Sequence, residues 1–119
     1  MGKMTIYLPR KLVYEELSDE QRAYLQERIP DNYNLREYIR DISELEEQIG
    51  SLSLEAREFA ESKNYTLAGM TYLDITDLDK IYNTLRVGNT IAAKKLIDEL
   101  ETANRERIPS RLYRKFYEE

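Results

Sequence analysis

One stretch of this chain leaves little freedom in how it folds. Leu35, Tyr38, Ile39, Ile42, Leu45 and Ile49 recur at helical intervals, which puts all six on one stripe of an α-helix. Glu37, Arg40, Asp41, Glu44 and Glu47 fall off that stripe. A helix with one apolar side must bury it, so further elements have to gather round this segment. Gly50 is expected to close the helix, with Ser51 or Ser53 capping another that carries Leu54, Phe59 and Ala60.

The flanking sequence is punctuated in the same terms. Ser18 and Gln21 have the spacing of a capping box, with Asp19 and Glu20 in the first turn. The helix they open runs to Ile29 and is stopped by Pro30. Before it, "RKLVYEEL" at 10–17 fits either a helical turn or a strand. "NYTLAGMTYLDI" at 64–75 is rich in threonine, tyrosine and aliphatic residues, and predicts extended structure with a strand at 70–75. Thr76 then caps a helix carrying Leu78, Ile81, Tyr82 and Leu85, and Gly88-Asn89-Thr90 separates it from one lined by Ala92, Leu96, Leu100 and Ala103. So short a turn folds the two helices back on each other, predicting an αα-hairpin over 77–107. Its wording, "LRVGN…AAKKLIDELE", resembles the hairpin of a tetratricopeptide repeat, but a single unit does not make an array. The expected architecture is one compact domain over residues 1–119, mainly α with a minor β part. It has a C-terminal αα-hairpin and one or two short strands, the best at the N-terminus.

Function is narrowed by what is missing. The 119 residues include no cysteine and no histidine, which removes thiolate chemistry, disulfides and the commonest metal ligands and acid–base groups. Carboxylates, lysines and tyrosines remain, but none is grouped as catalysis requires, and Gly2, Gly50, Gly69 and Gly88 are too scattered for a phosphate loop. The expectation is therefore a protein without enzymatic activity, cofactor or metal. No apolar run approaches the roughly 18 residues of a membrane span. The apolar run at Met4–Leu8 is too short for a signal peptide and is followed at once by Arg10 and Lys11, so the expected location is the cytoplasm, with no membrane partner.

Charge is unevenly placed within a net −5. Residues 1–12 hold three basic side chains and no acid, 13–101 hold ten basic against twenty acidic, and 102–119 five against three. An acidic body with basic ends offers two working surfaces, and the sequence does not choose between them. At the C-terminus, Arg105, Arg107, Arg111, Arg114 and Lys115 interleave with Tyr113, Phe116 and Tyr117. Such a mixture can hold single-stranded nucleic acid, although a tail docking Leu112, Tyr113 and Phe116 on the core is the preferred reading. Of ten tyrosines, Tyr14, Tyr24, Tyr38 and Tyr82 lie on apolar stripes, whereas Tyr33, Tyr65 and Tyr113 lie at segment ends and are surface candidates. Tyr33, Tyr65, Arg105, Arg107, Arg111, Tyr113, Arg114 and Lys115 are thus the expected partner-binding residues.

The opening "KMTIYLP" alternates Met4, Ile6 and Leu8 with Lys3, Thr5 and Tyr7, as a half-buried strand does. With "NLREYIRDI" at 34–42 it resembles the ribbon-helix-helix repressors. That resemblance implies a dimer whose paired strands enter the DNA major groove. Lys3, Thr5 and Tyr7 would then read bases, with Asn34 and Arg36 at the phosphates. The preferred reading is an ordinary first strand. The leading expectation is a small acidic binding protein that docks on another macromolecule, most directly a protein, and inhibits or modulates it. By analogy, phage and mobile-element accessory or anti-defence factors are of this kind. The alternative is the dimeric DNA-binding regulator. A homodimer is compatible with both, since a core stripe and a dimer seam look alike in one dimension.

Overall fold

The stripe that begins at Leu35 does not stop at Gly50. In the structure, a computed structural model that describes residues 6–117, a single helix, α2, runs through Leu35–Glu61. Leu35, Tyr38, Ile42, Leu45, Ile49, Leu52, Ala56 and Phe59 advance in alternating steps of three and four, a seam along nearly all of the helix's 27 residues. Gly50 lies off this seam, where an added Cβ would meet nothing within 4 Å. Ser53 is no cap: its hydroxyl donates to the Ile49 carbonyl one turn back. The true start of the helix is Asn34, whose side chain accepts from the backbone N–H groups of Arg36 and Glu37.

The strand expected at 70–75 is a helix. α3, Tyr65–Arg86, runs straight through it. Ala68, Thr71, Ile75, Leu78, Tyr82 and Leu85 repeat the three–four step and pack against α2, so the tertiary seam overrides the extended preference of the threonines and tyrosines. Thr71 and Thr76 turn their hydroxyls back on the carbonyls of Leu67 and Tyr72, which keeps them inside the helix. Tyr38 near the start of α2 donates its hydroxyl to the carbonyl of Leu85 near the end of α3, fixing the antiparallel register.

Both ends of α3 are made by one turn design. Lys63 (φ 63°) donates its N–H to Ala60, Asn64 donates to Phe59, and the Asn64 side chain then caps α3. Gly88 (φ 78°) and Asn89 repeat the pattern on Leu85 and Thr84, and Asn89 caps α4, Thr90–Glu99. Each is a Schellman turn whose last residue opens the next helix. The hairpin between α3 and α4 is present and buries Leu100 as expected, but its other buried positions are Ala93 and Ile97, one residue on from the expected Ala92 and Leu96, which are half-buried. Its second helix is shorter than expected, because the backbone turns extended at Leu100 and leaves Ala103 exposed in a separate α5, Thr102–Arg105.

The remaining pieces close over the inner half of the hairpin. α1, Asp19–Arg28, opens on the expected capping box, with Ser18 accepting from Gln21 N–H and Gln21 accepting from Ser18 N–H. α6, Ser110–Tyr117, buries Leu112 and half-buries Tyr113 and Phe116, so the tail is docked. Within 10–17 the chain makes a 3-10 turn at Tyr14–Glu16. The helical content is 75%, and no strand occurs among the described residues. Of the expected first strand, Lys3, Met4 and Thr5 lie outside the described residues, and Ile6–Leu8 is irregular. That segment is held by Arg86, which donates to the carbonyls of Leu8 (3.0 Å) and Pro9 (3.2 Å), and by Tyr82, which donates to Arg10 (2.9 Å). The molecule measures 52 × 29 × 28 Å, elongated because the α2–α3 hairpin outruns what packs on it.

Candidate docking surface

Most residues expected to bind a partner are already engaged within the chain. Tyr33, expected at the surface, is 2% exposed. Its hydroxyl donates to Asp41 Oδ2, and its ring meets Tyr38 edge-on at 5.3 Å. Burial, and then the Asp41 carboxylate, raise its pKa far above the ordinary phenol value. Arg111 approaches the other oxygen of Asp41 at 3.5 Å, and Lys115 donates to the Asn32 carbonyl at 2.5 Å while lying 5.4 Å from the Tyr33 ring centre. These three side chains therefore tie α6 to the start of α2. Asp41, read from its spacing as a solvent-facing residue, is 1% exposed beneath them.

Arg105 donates to the carbonyls of Asp98 and Leu100 and so finishes α4. Arg107 donates to Asn104, which donates in turn to Asp74 at 2.8 Å. Arg114 is exposed, and Tyr113 stacks on Tyr117 at 4.5 Å. Arg105, Tyr113 and Arg114 share a mostly apolar cleft of about 340 Å³ with Thr102, Glu106, Ile108 and Ser110. The interleaved basic and aromatic side chains thus serve chiefly to pin the tail. Asn34 and Arg36 are likewise occupied, the first as a helix cap and the second against Glu15 and the face of Tyr14. Tyr7 is 76% exposed. Among the described residues, no group of three or more metal-ligating side chains gathers.

Tyr65 stands apart from all of these. It is 68% exposed at the start of α3, and it opens a surface that the sequence reading assigned to a strand. From Asn64 to Leu73 there is no charged residue. Ala68 and Thr71 face α2, yet Leu67, Met70, Tyr72 and Leu73 are 40%, 57%, 51% and 67% exposed, with Thr66 and Gly69 exposed between them. This part of α3 is apolar on both sides, a pattern that belongs to helices with neighbours all round. Further along the same helix, Asp77 and Lys80 line a cleft with Leu96 and Leu100 of α4. The outer face covered there continues uncovered toward the tip.

Large apolar side chains exposed together on one short stretch are the usual mark of an interaction surface. Gly69 lies at the middle of this face, and an added Cβ would meet nothing within 4 Å. Leu54, 58% exposed, is on the opposite side of the hairpin and is isolated. No helix among the described residues is long and apolar enough to cross a membrane. Compared with models of protein families, with curated proteins and with solved structures, the chain matches none.

Proposed function

We propose that this is a non-enzymatic binding protein that docks on another protein through the outer face of α3, and acts by occupying or blocking what it docks on. The observation that carries the reading is the uncharged, exposed run Tyr65, Leu67, Met70, Tyr72 and Leu73 on a projecting helical hairpin. Interface centres are depleted in charge and enriched in aromatic residues and methionine, and the match here is to that composition. The complementary partner chemistry is an amphipathic helix laid along the hairpin, with anchors at helical spacing.

The test is affinity capture from a lysate with the wild-type protein and with Leu73→Glu. Because Leu73 is 67% exposed, the substitution leaves the fold intact. A stoichiometric protein captured by the wild type and lost with the variant is the expected result. Equal capture by both proteins, or retention on duplex DNA in place of any protein, would sink the reading.

A further inference from the structure

Resting on the reading of this face as a docking surface, we propose that its first occupant is a second copy of the chain. The two α3 helices pair antiparallel about a two-fold axis at Gly69–Met70, with the two α2 helices on the outer sides of the pair. Three observations on the face itself lead there. An uncharged face is complementary to itself, which is what an isologous contact requires. Across such an axis the outward Leu73 meets Thr66 of the second copy, while Gly69 and Met70, on either side of the face, each come beside their own equivalents. All of these residues are exposed in the single chain.

The glycine is the second observation. Inside a helix glycine is disfavoured relative to alanine, and nothing in the chain requires it at this position: the backbone is helical and no atom lies within 4 Å of the missing Cβ. Close approach of another backbone supplies the reason. Gly50 is equally open but is not set in an uncharged face, so a glycine alone would carry nothing.

The third observation is shape: the uncharged part of α3 stands on the end of the hairpin that projects beyond the other helices. The overlap has to stay within the projecting half of the hairpin, because α5 reaches α3 at Asp74, to which Asn104 donates, and α4 lines a cleft with Asp77. The antiparallel arrangement sets the two bodies at opposite ends of the pair. A foreign helix then has to displace the copy, which keeps the face out of water in the meantime.

The chain has no cysteine, so one introduced thiol can link only between copies. Gly69→Cys under mild oxidation should give a covalent dimer, since the axis brings the two Cα atoms within the ~7 Å that a disulfide needs. Leu54→Cys, exposed on the far side of the hairpin, should stay unlinked. Light scattering should show twice the 14.2 kDa chain mass for the wild type. Met70→Glu, which sets two carboxylates beside the axis, and Leu73→Glu, which buries a carboxylate against Thr66 of the second copy, should each dissociate about a hundredfold more readily with unchanged helicity. A wild type that is monomeric at every concentration, or linking by Leu54→Cys as fast as by Gly69→Cys, overturns the proposal. The two readings separate cleanly. A monomer that still loses its captured protein with Leu73→Glu removes the self-pairing and keeps the docking function. A dimer that captures no protein does the reverse.

Discussion

Asp41 shows how one side chain can be misplaced by its spacing alone. On the helix it sits beside the stripe, three residues from Tyr38 and four from Leu45, and periodicity assigns it to solvent. The docking of α6 brings Arg111 over it, and Tyr33 supplies the hydroxyl that makes its burial tolerable. Asp41→Ala should destabilise the protein by about 2–4 kcal/mol in urea titration, because it leaves the Tyr33 hydroxyl unpaired in the interior. Arg111→Ala should cost less, about 1 kcal/mol, since the guanidinium is half in water. The tyrosines make a second prediction at this scale. Burial raises the pKa of Tyr38, and burial with Asp98 that of Tyr117. Tyr82 is pushed up to about 12 by burial and then by Glu46. A phenol whose folded pKa is raised stabilises the fold fully below its unfolded value of about 10, and loses that contribution as pH rises through the folded value. The melting temperature should therefore hold until about pH 10 and fall steeply above it, with tyrosinate absorbance rising in step with unfolding.

Element by element, the sequence was most legible where a stripe and its punctuation agree. The capping box at Ser18–Gln21, the stripe from Leu35 and the Gly88-Asn89 turn all stand where their residues place them. The α2–α3 connection was missed although its geometry repeats that of Gly88-Asn89, because Lys63 occupies the left-handed position that glycine usually marks. With the turn hidden, Gly50 took the role of helix breaker and 64–75 was read by local propensity as a strand. The docking surface was lost with it, since the outer residues of a helix were read as one side of a strand. Lys63→Gly should raise stability by about 1 kcal/mol by relieving the left-handed strain. Gly88→Ala should lower it by at least as much, because the new methyl would meet Arg28 Cβ at 3.2 Å and Leu25 Cδ2 at 3.3 Å in a backbone already at positive φ. Opposite shifts in melting temperature at two turns of one design check both statements.

For the molecule as a whole, the hairpin divides stability into two tiers. Its inner half is braced by α1, α4 and α6, whereas residues 47–61 and 65–73 are held together by a single seam. Amide exchange should be fastest at this outer end, slowest around Tyr38–Leu45 and Leu78–Leu85, and slowed at the outer end as protein concentration rises if copies pair there. The long seam also dictates an order of events in time. Its contacts join neighbouring helices and close early from the Lys63 turn, because local contacts cost little loop entropy. The N-terminal segment has to wait. Leu8 is fixed by Arg86 and Arg10 by Tyr82, partners 78 and 72 residues further along. During synthesis this segment leaves the ribosome well before its partners and is thus among the last to find its place, so the nascent chain must keep Leu8 from other company until α3 has emerged.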